Sequence, residues 1–177
     1  MRSIRGFHRD EAGLSALEFA LVLPVMCTLL FGGIEITNAL EVSRKVSLAA
    51  ATAADLVAQT KTLTNNQRDD VFAAADALMT PKDPGSLTVV ITSLVYNNGQ
   101  ATVVWSDGHR KLPRNVNDIV ILPPGILATG TSVIMAEVTY QYLDPMGALH
   151  WVGTGSYNFT DTYYDRPRRA VAVARTP

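Results

Sequence analysis

An apolar run of 21 residues near the N-terminus constrains this chain more than any other feature. Residues 14–34 read LSALEFALVLPVMCTLLFGGI, and Glu18 is their only charged residue. At about 1.5 Å of rise per helical residue, the run spans roughly 30 Å, the thickness of a bilayer's hydrocarbon core. Because a helix satisfies its own backbone hydrogen bonds in lipid, the run predicts a single transmembrane helix.

Basic residues before the run predict its orientation. Arg2, Arg5 and Arg9 precede it, and positive charge tends to stay on the cytoplasmic side of a membrane. We therefore expect residues 1–13 to form a cytoplasmic leader and residues 36–177 to cross the membrane. A cleaved signal peptide is the competing interpretation, but it calls for a shorter apolar region and a small-residue cleavage site. The best downstream candidate, TNA at residues 37–39, fits that pattern poorly.

Composition and motifs argue against several classes of function. The net charge of −1 gives no global basic field of the kind that attracts nucleic acid. One cysteine excludes an intrachain disulfide and a multi-cysteine metal site. No phosphate-binding loop, HExxH, GxSxG, CxxC or EF-hand pattern is present. We therefore expect no enzyme activity, no cofactor, no metal and no small-molecule substrate, and we interpret Asp107, His109 and Arg110 as turn residues.

Glu18 and the residues before it carry a resemblance to a known family. A basic leader ends at Gly13, four residues follow, and Glu18 comes next within the apolar run. This pattern is similar to the cleavage region of type IV prepilin-like proteins. The wider sequence resembles TadE/TadG-like minor pilins, or pseudopilins, of tight-adherence (Flp) type IV pilus systems. The stretches that carry this resemblance are RDEAG at 9–13, ALEFALVLP at 16–24, FGGIE at 31–35 and YYDRPRR at 163–169.

The resemblance implies a processing site and an assembly residue. In that family a membrane prepilin peptidase cuts after the glycine, and the corresponding bond here joins Gly13 and Leu14. Glu18 is then the fifth residue of the mature chain, where the glutamate of type IV pilins pairs with the α-amino group of a neighbouring subunit. Leu14 and Phe19 stand where pilins often have Phe and Tyr. The alternative is that Glu18 is simply tolerated near the membrane surface.

The residues after the apolar run predict more helix. Pro24 lies inside the run, and we expect a local bend there because proline lacks a backbone donor. Residues 35–60 contain no Pro or Gly and are rich in Ala, which predicts that the helix continues to about residue 60. Thr64 and Gln67 have the spacing of a capping box and predict a second helix over residues 65–79. Its expected inward residues are Val71, Phe72, Ala75, Leu78 and Met79.

The remainder of the chain predicts antiparallel strands. Residues 87–96 and 101–105 flank the turn sequence NNG, and Asp107-Gly108 is expected to end the second strand. Residues 132–143 alternate, with the more apolar even-numbered set facing a helix, and residues 149–159 add a last strand. We predict an α+β fold, in which a long N-terminal transmembrane and amphipathic helix and a second helix pack on a sheet of about four strands.

These predictions describe a structural protein with four regions. They are the cytoplasmic leader, a transmembrane helix over 14–34, a periplasmic helical hairpin over 35–80 and a β-rich head with a C-terminal tail over 86–177. The resemblance implies a single-pass protein of the bacterial inner membrane that joins the assembly, initiation or tip of a pilus. Its expected partners are the membrane, the prepilin peptidase, other pilin-like subunits and the assembly platform. The alternative is an uncleaved, membrane-anchored periplasmic scaffold or binding protein.

Overall fold

A computed structural model describes residues 11–97, 99–123, 130–143 and 155–176. The predicted leader up to residue 10, Asn98 of the predicted turn, and residues 149–154 of the predicted last strand lie outside the described residues. The chain divides into two units. Residues 11–38 belong to the first unit, and the described residues of 39–143 and 156–176 belong to the second.

Helix α1 (Glu11–Ala58) is continuous over 48 residues, which confirms the predicted extension of the apolar helix. Pro24 lies within it, and the Pro24 carbonyl accepts a hydrogen bond from the Thr28 hydroxyl at 2.8 Å. The residues of α1 in the second unit bury one face, formed by small side chains at helical spacing. The fully or almost fully buried residues of that face are Val42, Val46, Ala49, Ala50, Ala53, Ala54, Val57 and Ala58.

Helix α2 (Asn65–Leu78) begins with the predicted capping box. The Gln67 N–H donates to the Thr64 hydroxyl at 3.3 Å, and the Thr64 N–H donates to the Gln67 side chain at 3.0 Å. These two bonds satisfy donors that the start of a helix leaves open. Val71, Phe72 and Ala75 are buried, as expected. A 3-10 turn at Pro84–Ser86 then leads into the sheet.

The main sheet has five antiparallel strands, so the α+β class is confirmed with one strand more than expected. The strands are β2 (Leu87–Asn97), β3 (Gln100–His109), β4 (Ile119–Val120), β5 (Thr131–Leu143) and β6 (Ser156–Asp165), after a short β1 (Thr62–Leu63). Their order in the sheet is β4-β3-β2-β5-β6. The added strand is β4, which pairs with β3 at Ala101 and Thr102 only.

The structure corrects two strand boundaries. Asp107-Gly108 does not end β3, because Asp107 pairs with Ile91 and Gly108 pairs with Val90. Gly108 instead permits a close approach of the chain, since a Cβ there would lie 2.0 Å from the Lys111 carbonyl oxygen. The last long strand, β6, continues past the predicted end at residue 159 to Asp165, because residues 156–165 pair with β5 from Leu143 back to Ile134.

The sheet buries apolar side chains on both faces. The even-numbered residues of β5 from Ile134 to Tyr142 pack with α1 and α2, as predicted. On the opposite face a second cluster forms around Leu94, Val103, Val133 and Met135. A β-bulge divides β3 between the two clusters, since Ser93 pairs with Trp105 and Leu94 with Val103, which leaves Val104 as the extra residue. Val103 therefore faces the second cluster, whereas Trp105 faces the helices.

The C-terminal strap, residues 166–176, forms hydrogen bonds with α1, β3 and β1. The Arg168 N–H donates to the Ala58 carbonyl at 2.9 Å, at the end of α1. The Trp105 indole N–H donates to the Val173 carbonyl at 2.7 Å in a buried site. A last strand, β7 (Ala174–Arg175), pairs in parallel with β1. The tail is therefore part of the folded second unit.

The alanine face of α1 gives a stability prediction. Ala50 is fully buried, and an Ala50→Leu substitution adds three carbons to a packed contact, so it should lower the free energy of unfolding by about 1–3 kcal/mol. Ala73→Leu is the matched control, because Ala73 is exposed on α2 and surface changes usually stay within about 0.5 kcal/mol. Denaturant unfolding of the full chain in detergent, followed by tryptophan fluorescence, measures both. Equal effects would contradict the packing described for α1.

Candidate functional site

The residues that the sequence singled out for processing and assembly all lie on the first half of α1. The part of the chain that the structure describes contains one helix long and apolar enough to cross a membrane, with a mean hydropathy of 2.1 in its most apolar window. Its large apolar side chains between Leu14 and Ile34 are exposed. An exposed apolar surface on every side of a helix fits lipid and not water. This helix is therefore compatible with a membrane anchor.

Leu14 and Glu18 lie one helical turn apart on the same side of α1. Residues four apart stack along a helix, with about 6 Å of rise between them. Both side chains are exposed, and so is that of Phe19. A carboxylate within an apolar segment costs about 2.5–3.5 kcal/mol at the middle of a membrane on translocon scales, and less near the interface. Glu18 is therefore an exposed acidic residue on an otherwise apolar stretch of the helix.

Gly13 is the third residue of α1 that the structure describes, so the bond between Gly13 and Leu14 lies within the described helix.

Two features near the end of the apolar segment were not predicted. Glu35 is fully buried, although its neighbours Ile34 and Ile36 are exposed. The sequence around Glu35 does not indicate burial. Glu35 had been noted only as part of the FGGIE stretch of the family resemblance. A groove of about 400 Å³ follows one side of α1 and is mostly apolar. Its lining residues are Leu29, Leu30, Gly33, Ile34, Thr37 and Asn38.

The three polar residues interpreted as turn residues belong to two ion clusters of the second unit. Arg110 binds both carboxylate oxygens of Asp76 at 2.8 Å, and the His109 Nε2 lies 3.1 Å from the same carboxylate. The His109 ring also stacks on Phe72, with centroids 4.9 Å apart. These contacts join α2 to the end of β3. Arg110 has a positive φ of 54°, so the chain does turn directly after the strand.

The second ion cluster joins the C-terminal strap to α2 and β3. The Arg175 Nε donates to Asp107 at 2.7 Å, and its Nη2 donates to the Asn65 side chain at 2.5 Å. Arg68 of α2 lies 3.8 Å from Asp107. Every charged member of the cluster therefore has an opposite charge beside it. Such an arrangement fixes elements in place and leaves no free nucleophile or base within the cluster.

The acidic residues of β6 do not gather into a metal site in the described chain. Asp161 and Asp165 lie on β6, and Asp144 falls outside the described residues. Asp165 accepts from Arg168 at 3.3 Å, and the same guanidinium lies 2.5 Å from Asp55 of α1. Among the described residues, no three His, Cys, Asp or Glu side chains are placed to hold a metal ion.

Electrostatics strengthens the link between α2 and β3. Burial raises the pKa of the Asp76 carboxyl, but hydrogen bonds from Arg110 and His109 and the positive charge of Arg110 together outweigh burial and bring that pKa below its ordinary value. The same pairing raises the pKa of Arg110. Since Asp76 binds protons less readily in the folded than in the unfolded chain, its ionised form stabilises the fold.

Acid should remove this stabilisation. A carboxyl with a lowered folded pKa contributes fully above its unfolded pKa, near about 3.9, and the contribution is lost as the pH falls through the folded pKa. We expect Asp76→Asn to lower the free energy of unfolding by about 1–3 kcal/mol at pH 7. The difference from wild type should persist to about pH 5 and shrink below about pH 4.

Asp69→Asn is the control for that measurement. Asp69 lies on the same helix and pairs with Arg68, but its side chain is mostly exposed, and exposed pairs contribute little. Denaturant unfolding between pH 3 and pH 7 measures all three proteins. A difference between Asp76→Asn and wild type that does not change with pH would contradict the role given to this carboxylate.

Comparison with known proteins bears on α1 alone. The family model described as TadE-like protein matches residues 13–55, which begin at the predicted processing glycine and end within the last turn of the helix. Neither the curated proteins nor the solved structures gave a match to the chain. The match includes Leu14, Glu18, Phe19 and Pro24, the residues on which the resemblance was based. Within residues 13–55, the chain is therefore similar to TadE-like proteins.

Proposed function

We propose that this chain is a minor pilin or pseudopilin that takes part in the assembly, initiation or tip of a tight-adherence (Flp) pilus. One observation carries the proposal. The TadE-like match covers the helix on which an exposed apolar surface, Glu18 and the Gly13–Leu14 bond occur together. The function is structural, and the chemistry at this site is performed on the chain by a peptidase.

Cleavage after Gly13 creates a positively charged group with which Glu18 can pair. It leaves Leu14 with a free α-amino group, which is positive at neutral pH. That group and Glu18 lie one turn apart on an exposed side of the helix. In a bundle of such helices, the amino group of one subunit can meet the Glu18 carboxylate of the next. Two opposite charges are costly alone in a low dielectric and tolerated together, so the pairing favours association of the anchors.

The proposal places the chain in the bacterial inner membrane with residues 1–13 in the cytoplasm and the head in the periplasm. The partners are then the prepilin peptidase, other pilin-like subunits and the assembly platform, and the processed chain takes part in the initiation or the tip of the pilus. Support for this orientation comes from Arg2, Arg5 and Arg9 before the apolar run.

One observation favours the alternative, an uncleaved membrane-anchored scaffold. Gly13 is helical, whereas a peptidase needs an extended chain around the bond it cuts. If the first turn of α1 stays wound, residues 1–13 remain attached and Glu18 has no amino group to meet. The two functions therefore differ in the chemical identity of the N-terminus.

The first test is the N-terminus of the protein purified from its native membrane, by intact mass and by N-terminal peptide mass spectrometry. The proposal expects a chain that begins at Leu14. A strain without its prepilin peptidase is the control, and there the chain should retain residues 1–13. Retention of residues 1–13 in the strain with the peptidase would reject processing and support the scaffold.

Substitution of Glu18 tests the assembly role. Glu18→Gln keeps the shape of the side chain and removes its charge, so it should reduce surface pili at least about tenfold, the effect of losing about 1.4 kcal/mol from one contact. The protein should stay in the membrane, because removal of a charge does not hinder insertion. Leu17→Ala is the matched control, since it changes the adjacent exposed apolar residue and retains Glu18. Normal piliation in Glu18→Gln would count against the pairing.

A further inference from the structure

Strand β6 forms a long edge of the main sheet. Residues 156–165 pair with β5 along their whole length, and no strand follows on the other side among the described residues. An edge strand leaves alternate backbone donors and acceptors open to a second extended chain. With ten residues, β6 is longer than the usual strand of about five or six. It therefore offers main-chain hydrogen bonds over more than the length of an ordinary strand.

A groove lies beside this edge, on the face of the sheet that carries the helices. The groove has a volume of about 330 Å³ and a mostly polar lining, and it lies within the second unit. Its lining residues come from α1, from β6 and from the C-terminal strap, and they are Ala51, Thr52, Asp55, Tyr163, Asp165 and Arg168.

The lining of the groove carries more negative than positive charge. One nitrogen of the Arg168 guanidinium lies 2.5 Å from the Asp55 carboxylate and 3.3 Å from that of Asp165, so one cation serves two carboxylates. Asp161 adds a third carboxylate on the same face of β6, because it pairs with Val138 of the main core. A second cation beside these carboxylates would therefore be favoured.

Tyr163 stands between the two acidic residues of β6. It pairs with Ala136 of the main core, so its side chain projects on the same face as those of Asp161 and Asp165. It is 46% exposed. The face of an aromatic ring attracts a guanidinium or an ammonium group. An aromatic ring flanked by carboxylates is therefore suited to recognise a basic side chain.

We propose that β6 binds an extended segment of a partner protein that carries a basic side chain opposite Tyr163. Residues directly opposite each other on neighbouring strands project to the same face. The basic side chain therefore enters the groove while its backbone pairs with β6. Arginine suits the site best, because its planar guanidinium binds carboxylates through paired hydrogen bonds and stacks on aromatic rings. In the groove it lies beside Asp55 and Asp165.

Charge favours this partner over a second copy of β6. Antiparallel pairing of two β6 strands would continue the sheet and place the same face of each copy on one side. Asp161 and Asp165 of both copies would then lie on that side, and like charges on paired strands are destabilising. Inward-facing charges thus protect the edge against uncharged or acidic strands and select a basic one. The inference goes beyond the proposed function and is independent of cleavage after Gly13.

Peptide binding to the full chain in detergent micelles tests the proposal. The probe is a labelled, end-blocked peptide of about seven residues, in which threonine and valine alternate around a central arginine. The control peptide has glutamine in place of the arginine. Fluorescence anisotropy should show at least about tenfold tighter binding of the arginine peptide. Failure of the arginine peptide to bind, or equal affinities of the two peptides, would overturn the proposal.

Substitutions in the chain test whether the groove holds the arginine. Asp165→Asn should weaken binding of the arginine peptide at least about tenfold and leave the glutamine peptide unaffected. Asp161→Asn is the second variant, because it weakens the same site and keeps both ion pairs of Arg168. Asp69→Asn is the matched control, since it removes a mostly exposed carboxylate from α2 and should change neither affinity. Unfolding curves check that each variant is folded. Insensitivity to both β6 substitutions would contradict the proposal.

Methylation of the peptide backbone tests strand pairing separately from charge. An added strand turns only alternate N–H groups toward its neighbour. Two arginine peptides are therefore compared, each methylated on one of the two alternating sets of backbone nitrogens. One set should abolish binding and the other should leave the affinity within about threefold. Equal effects of the two sets would show that the peptide does not bind as a strand and would overturn the proposal.

Discussion

Close packing of an alanine-rich helix face on the sheet is the contact on which the second unit depends. Ala49, Ala50, Ala53 and Ala54 are buried on α1 and belong to the same apolar core as residues of the strands. The contact also fixes the end of α1, where the Ala58 carbonyl accepts from Arg168 of the C-terminal strap. The C-terminal half of α1 is thus built into the core of the head. A larger side chain on this face of α1 would therefore disturb the packing of the main core.

The bulge at Val104 places the side chains of Val103 and Trp105 on opposite faces of the sheet. Without the extra residue, Val103 and Trp105 would point to the same side, because side chains alternate with a period of two. With it, Trp105 reaches the strap through its indole N–H, and Val103 completes the second cluster. The second cluster in turn holds Val120 and Leu122. Val120 and Leu122 are therefore positioned by an irregularity in β3.

Sequence patterns predicted the elements whose signals are local. The capping box of Thr64 and Gln67, the β-branched run of β2 and the alternation of β5 each depend on neighbouring residues, and all three are present. The failures involve distant contacts. Asp107-Gly108 has the composition of a turn, yet these two residues pair with Ile91 and Val90 of β2. The partnership of Asp76 with Arg110 joins residues 34 positions apart, which no spacing rule indicates.

The same distinction explains why the spacing within the candidate site was recognisable and the long-range contacts of the head were not. The roles proposed for Gly13, Leu14 and Glu18 depend on their order along one helix, and a helix preserves sequence spacing as geometry. Their arrangement therefore needs no tertiary contact to be inferred. The exposure of Ile121 depends instead on where β4 docks, on the bulge in β3 and on the second cluster. A surface assembled in this way leaves no short motif, and that is consistent with a family match confined to α1.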